Sequence, residues 1–179
     1  PKPSSAASDV YKRQGIGYIS GVKCMIMIDD SGIKAGAASE ATIDKALGCL
    51  DIALKQKLPC VHLVESAGVD LPNYSVKLWS KFGSVFYKKA KLSAAGIPVI
   101  AILHGFSTAG GAYQIGMSDY VIGVKGNGMA ALAGSALLKA ATGENATNSD
   151  IGGVEMHSVV TGSVESVSYT HLRAHETSL

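Results

Sequence analysis

Apolar residues recur along this chain in two rhythms. Ile43, Ala46, Leu47, Leu50 and Leu54 fall at three- and four-residue steps, the spacing of one helical face, and predict a helix to about Lys57. Ser39 precedes it as N-cap and Pro59 closes it. A second helix is predicted from about Val76 to Ala95, with Trp79, Phe82, Phe86 and Ala90 on one face and Gly96 to end it. Lys81, Lys88 and Lys91 point elsewhere. Between the helices lie short runs that are apolar without alternation, Cys60-Val-His-Leu-Val64 and Ile97-Pro-Val-Ile-Ala-Ile-Leu103, which suit strands buried on both faces. Gly17–Ser20 and Cys24–Ile28, joined at Gly21-Val22, predict a hairpin, and Tyr120–Val124 predicts another strand. Short helices are predicted from the turn at Gly110 to about Met117 and from Gly134 to Ala141, the latter ended by Gly143. This order implies an α/β domain with a mostly parallel sheet covered by helices, and glycine-bearing loops at the carboxyl ends of strands.

Composition narrows the picture. At 179 residues, 47% of them hydrophobic, the chain is long enough for one packed domain and is not of disordered character. Residues 1–14 and 167–179 follow neither rhythm, and the two arginines, Arg13 and Arg173, fall one in each end. Both ends resemble sequencing-adapter sequence translated in frame, so the domain is expected over residues 15–166, with the ends non-native and His171 and His175 without a role. Genuine disordered tails are the alternative. Within residues 15–166 twelve Lys face twelve Asp plus Glu, so the core is neutral and nucleic-acid binding is not expected. Cys24, Cys49 and Cys60 each lie in an apolar stretch and read as buried free thiols of a reducing compartment, neither disulfides nor a metal site. No apolar run approaches the roughly 18 residues of a membrane helix and no secretory leader pattern occurs, so a cytoplasmic location without membrane association is expected.

The stretch that carries chemistry is Thr108-Ala109-Gly110-Gly111, which follows a predicted buried strand and opens a helix. First-turn N–H groups have no intrahelical partner, and adjacent glycines let a ligand oxygen approach without meeting a Cβ. Such donors stabilise an enolate or other oxyanion, each typically worth about 3–4 kcal/mol of barrier. Close helix–strand packing is the other use of Gly-Gly, and spacing leaves both open. Glu65-Ser66-Ala67-Gly68-Val69 follows another buried strand, and its small residues can bring a further N–H toward the same cavity.

Three ordered segments add a resemblance. They are Gly105-Phe-Ser-Thr-Ala-Gly-Gly-Ala-Tyr-Gln-Ile-Gly-Met-Ser-Asp-Tyr120, Leu132-Ala-Gly-Ser-Ala-Leu-Leu-Lys-Ala-Ala-Thr-Gly-Glu144 and Ile151-Gly-Gly-Val-Glu-Met-His-Ser158. Together they resemble the carboxyltransferase (β) subunits of biotin-dependent acyl-CoA carboxylases. The first two most resemble the methylcrotonyl-, geranyl- and related acyl-CoA branch. The resemblance implies a crotonase-like (ClpP/crotonase) ββα superhelix, here truncated. It implies transfer of CO2 from carboxybiotin to the α- or vinylogous γ-carbon of an acyl-CoA through an oxyanion-stabilised enolate. Biotin on a separate carrier protein or subunit would be the cofactor, and a coenzyme A thioester the substrate. A biotin carboxylase/biotin carrier subunit would be the partner, and the full-length form a homo-oligomer. Carried over by position, Gly110 and Gly111 are the implied oxyanion donors, with Thr108 and Ala109 in the same turn. Ala67, Gly68 and Val69 would line the opposite wall, and Gly134 and Gly143 would lie near the CoA-binding region. No metal is implied. Two departures stand out: Ser135 follows Gly134 where the family commonly has Pro, and Ser66-Ala67-Gly68 stands where Ser-Gly-Gly is common.

The family pattern continues beyond both ends of residues 15–166, and its site lies between two subunits. The isolated chain is therefore expected to be an inactive CoA-binding fragment, with a biotin-dependent decarboxylase α-subunit as the other parent. Other readings are weaker on chemistry. Gly105-Phe-Ser107-Thr-Ala109 lacks the second Gly of a hydrolase nucleophile elbow. A hydratase needs glutamates, and only Glu65 offers itself. His62 and His157 read as structural. The Lys88-Lys89/Lys91 cluster reads as a solvated helix face, with contact to CoA phosphates as the alternative.

Overall fold

The computed structural model describes residues 12–169. β1 (Lys12–Ile19) and β2 (Val22–Asp29) form an antiparallel hairpin. Its turn, Ser20-Gly21, holds φ of 49° and 79°, the left-handed pair whose twist suits a two-residue hairpin. The strand pairing begins at Lys12, ahead of the expected boundary at Gly15, with Lys12, Arg13 and Gln14 opposite Asp29, Ile28 and Met27. Backbone pairing is indifferent to side-chain rhythm, so the strand extends through a segment that has none. The rest of that end, and residues 170–179 with His171 and His175, lie outside the described residues.

Ser39 caps α1 (Glu40–Gln56) by accepting from the Thr42 N–H at 3.4 Å, and Lys57 ends it in the left-handed conformation. β4 (Cys60–Ser66) follows, and then α2 (Val76–Ala94), where Ser75 accepts from the Leu78 N–H. Next come β6 (Val99–Thr108), α3 (Gly110–Gly116), β7 (Tyr120–Val124) and β8 (Met129–Ala131). α4 (Ser135–Thr142), α5 (Asn148–Gly152), α6 (Val154–Met156) with a π-helical turn after it (His157–Thr161), and β9 (Ser166–Ser168) follow, and β3 (Ala37–Ala38) pairs with β5 (Gly68–Val69) apart from the main sheet. Among the described residues that sheet has seven strands in the order β1-β2-β4-β6-β7-β9, with β8 on β6. Every neighbour except the hairpin is parallel. The parallel α/β expectation therefore holds. No helix among the described residues is long and apolar enough to cross a membrane.

One sheet face packs on the helices. Met25, Met27, Cys60 and Val99 meet Ile43 and Leu50 of α1 and Leu78, Val85 and Leu92 of α2 in one core. A second core, with Val64, Leu103, Val121 and Val154, gathers around Ile115 of α3. The opposite face stays less covered: Ile26, Leu63, Ile100, Ile102 and Ile122 are half-buried and Ile28 is exposed. On α2 the buried side is rotated from the predicted one. Leu78, Val85 and Leu92, at seven-residue steps, join the core with Phe82, and Phe86 packs against it, whereas Trp79 and Ala90 of the predicted face are exposed. Lys81 bonds Glu40 and Asp44 of α1 at 2.7 and 2.9 Å, and Lys88 pairs with Asp51. Lys89 does not belong to that solvated face; it is buried.

Candidate active site

β4 and β6 run side by side and end at the same edge of the sheet. Val64 pairs with Leu103 but Ser66 with Ser107, so two steps of β4 face four of β6 and the strand ends bulge. The loop after β4 is latched from outside. Ser66 Oγ donates to Gly36 O at 3.1 Å, the Ala67 N–H donates to the same oxygen at 3.3 Å, and the Gly68 N–H donates to Ser66 Oγ at 3.2 Å. Gly36 is required there, because a Cβ would lie 2.7 Å from Glu65 O. The Ala67 and Gly68 donors are therefore engaged, and Ser66 and Ala67 form a wall of the cleft beside this loop.

The Gly110 turn faces that wall. A Cβ on Gly68, whose φ is +88°, would stand 3.3 Å from Ala109 Cβ and 3.6 Å from Gly110 N. Ala109 holds φ 51° and ψ −119°, a conformation costly for a residue with a side chain. Its N–H donates to Ala131 O, and its carbonyl accepts from the Ala112 N–H. The N–H groups of Gly110 and Gly111 open α3 and have no intrahelical acceptor. A Cβ on Gly110 would lie 2.5 Å from Phe82 Cε1, and one on Gly111 2.6 Å from Ser66 O. Close packing therefore requires glycine at both positions.

Beside the two loops opens a cleft of about 290 Å³ lined by Ser31, Ala35, Glu65, Ser66, Ala67, Phe106 and Thr108. Glu65 reaches over Gly105, where a Cβ would meet its carboxylate at 2.5 Å, and its Oε2 lies 3.9 Å from His104 Nδ1. Ser107 is buried and its Oγ donates to Val64 O at 3.4 Å, so it is no exposed nucleophile. Of the residues singled out from sequence, Ala67 and Thr108 line the cleft, Gly68, Ala109 and Gly110 adjoin it, and Gly111 packs on Ser66. Val69 is buried in the α1–α2 core instead.

Gly134 and Gly143 are not among the residues lining that cleft. Gly134 precedes α4, where Asn148 Oδ1 accepts from the Ser135 N–H at 2.9 Å, and Gly143 ends α4 with φ 79°. A separate cleft of about 400 Å³ lies there, lined by residues including Ser135, Lys139, Asn145, Thr147 and Asp150. Beyond these elements His157 is structural: its Nε2 lies 2.7 Å from Ala130 O.

Behind the loops sits a buried polar group that sequence reasoning missed. Asp29, one residue past the predicted end of the second hairpin strand, is the last residue of β2 and is buried. Its Oδ2 lies 3.1 Å from His62 Nε2 and accepts from the Glu65 N–H at 3.3 Å, and its Oδ1 pairs with Lys12. Burial opposes ionisation of Asp29, but His62 and Lys12 outweigh it and hold the carboxyl well below the usual range. Burial pushes His62 down to about 4 against the pull of Asp29, so its imidazole is neutral at pH 7. The signal for this pair was present in sequence only as one His and one Asp in adjacent strands.

Residues 5–178 match the family described as the carboxyl transferase domain. The chain belongs to that family. It is 45% identical over 148 residues to a probable biotin-dependent acyl-coenzyme A carboxylase beta2 subunit of Mycobacterium tuberculosis, covering 83% of this chain and 28% of that protein. To the mitochondrial methylcrotonoyl-CoA carboxylase beta chain of Arabidopsis thaliana it is 46% identical over 150 residues, 83% of this chain and 26% of that one. Its structure resembles the beta subunit of Pseudomonas aeruginosa geranyl-CoA carboxylase with a TM-score of 0.81 at 41% identity, covering 89% of this chain and 30% of that one. The carboxyl transferase domain here thus has the crotonase-like fold its motifs imply, and it spans under a third of the length of these relatives.

Proposed function

We propose that this carboxyl transferase domain supplies one wall of an acyl-CoA site, in which the Gly110 and Gly111 N–H groups stabilise the oxyanion formed during carboxyl transfer. The observation that carries the reading is the meeting of two loops. Gly68 stands against Ala109 and Gly110, beside a cleft lined by Ala67 and Thr108, with two first-turn N–H groups unclaimed by their helix. The small residues on both sides fit the reacting end of a thioester, and the strained Ala109 is the kind of outlier found at such sites.

The chemistry divides accordingly. Carboxybiotin, borne by a separate carrier or subunit, supplies the activated CO2. The residues of this chain bind and orient the acyl group and favour its enolate through backbone donors, which need no side-chain nucleophile. Ala67 and Thr108 bound the acyl end, Gly134 and Gly143 lie toward the CoA moiety, and Val69 supports its loop from the core. The whole protein acts on the α- or vinylogous γ-carbon of an acyl-CoA as a cytoplasmic homo-oligomer with a biotin carboxylase/biotin carrier partner. The 179-residue chain, which spans under a third of its relatives' length, does not turn over alone.

An amide-to-ester replacement at Gly110, in the full-length subunit with its carboxylated carrier, removes the N–H and adds no atom toward Phe82. The expected result is a fall in kcat of about 10²–10³ with the fold intact. An unchanged kcat would sink the assignment.

A further inference from the structure

Lys89 is fully buried, at 0% exposed. An interior ammonium is costly unless it is well paired, and an apolar side chain of similar size would cover the same surface without that cost. What an apolar side chain would lack is a directional bond. Lys89 Nζ donates to Gln114 O at 3.1 Å. That carbonyl lies in the last turn of α3, where helical partners run out: the Met117 N–H goes to Tyr113 O and the Ser118 N–H to Ile115 O. Ser118 Oγ is the other donor to Gln114 O, at 2.8 Å.

The contact is one of three. Phe82, Phe86 and Lys89 follow at four- and three-residue steps and so form one stripe of α2. In the same order they meet Gly110, Tyr113 and Gln114 of α3. Phe82 fills the space beside Gly110, Phe86 and Tyr113 rings lie 5.7 Å apart, and Lys89 holds the Gln114 carbonyl. Phe82 and Phe86 brace each other at 5.0 Å. A helix as short as Gly110–Gly116 has little stability of its own; it sits mainly on β6 and β4, and the three side-chain contacts from α2 are what act on its outer side.

We propose that α2 is a splint for α3 and that Lys89 is a positioning residue, whose bond to Gln114 O fixes the direction in which the Gly110 and Gly111 N–H groups face the cleft. This inference rests on the oxyanion reading above. It also makes the alignment sensitive to alkali. Burial lowers Lys89 to about 8, and the groups that act on it are Cys60 from β4, Lys12 from β1 and Asp29 from β2. Loss of the proton turns a charge-assisted bond into a weaker neutral one.

The test uses Lys89→Met in the full-length subunit assayed with acyl-CoA and carboxylated carrier, beside the Gly110 ester. The expected result is a fall in kcat of about 10-fold, with KM for acyl-CoA within about twofold and Tm unchanged or raised. The wild type should lose kcat as pH rises through about 8, and the variant should lack that limb. An unchanged kcat, or kcat and Tm falling together with the alkaline limb retained, overturns the inference. If Lys89→Met does not fold, Lys89→Gln decides: a lowered kcat together with loss of the limb near pH 8 supports the splint, and an unchanged kcat or a retained limb overturns it. An ester without effect defeats the oxyanion reading itself, whereas an active-site loss with the ester but none with Lys89→Met defeats only the splint.

Discussion

Gly111 packs so closely on Ser66 that a Cβ would stand 2.6 Å from the Ser66 carbonyl oxygen. That atom is backbone, in the bulged end of β4, and it has nowhere to yield. Gly111→Ala is therefore expected to destabilise the chain by about 1–3 kcal/mol, the range of core overpacking. Gly110→Ala meets instead the edge of the Phe82 ring, and Phe82→Leu removes the atoms it would strike. Urea unfolding should rank Gly111→Ala as the more damaging variant, with Gly110→Ala relieved by Phe82→Leu. If Phe82→Leu gives Gly110→Ala no relief, the packing account of Gly110 is wrong. A bulky replacement such as Gly110→Val is consequently a poor probe of oxyanion stabilisation, since it strikes the packing first.

How much of this was visible in the sequence depends on range. The Ser39 cap, the α1 stripe, the limits of β7 and the Gly143 stop are local, and local spacing carried them. The α2 face was half legible: Phe82 and Phe86 pack on the core, but Leu78, Val85 and Leu92 were missed because their burial depends on where α1 lies. Lys89 read as solvent-facing for the same reason: only the fold places Gln114 O beside it. β8 and β9 are three residues each and owe their existence to neighbouring strands, which no local rhythm announces. At the site, spacing offered two uses for Gly110 and Gly111 and could not choose. The fold shows the packing use directly, since the Cβ positions would meet Phe82 and Ser66 O, while the two N–H groups have no intrahelical acceptor.

Gly143 tests whether a residue carried over from family likeness is needed for more than shape. Its φ of 79° ends α4, and a Cβ there would meet nothing within 4 Å. The constraint is conformational, so Gly143→Ala is expected to cost about 1 kcal/mol and Gly143→Asn less, because Asn tolerates the left-handed region. Thermal denaturation of both variants checks this. Equal losses for Ala and Asn would point to a contact that the conformational account omits.

Ser107 offers a clean discriminator against hydrolytic chemistry. Its hydroxyl is buried and makes one long bond, 3.4 Å, to Val64 O. Ser107→Ala in the full-length subunit should leave carboxyl transfer within about twofold and cost at most about 1 kcal/mol of stability. A loss of turnover by orders of magnitude, with the fold preserved, would return Ser107 to the reacting atoms.

The Asp29–His62 pair makes the domain acid-sensitive, and the direction is set by the two groups. Burial holds His62 near 4, whereas an unfolded chain titrates near the ordinary histidine value of 6.5. Between those values the unfolded chain binds more protons, so the stability present above about pH 6.5 is lost as pH falls toward 4. The loss is worth about 3 kcal/mol at most. Asp29, held below the usual carboxylate range, adds a loss of the same sign at still lower pH. His62→Gln keeps a donor for Asp29 Oδ2 but cannot take a proton in this range. Urea unfolding at pH 7 and pH 4.5 should show the wild type losing stability and His62→Gln losing markedly less. An identical pH dependence in the two proteins would place the acid sensitivity elsewhere.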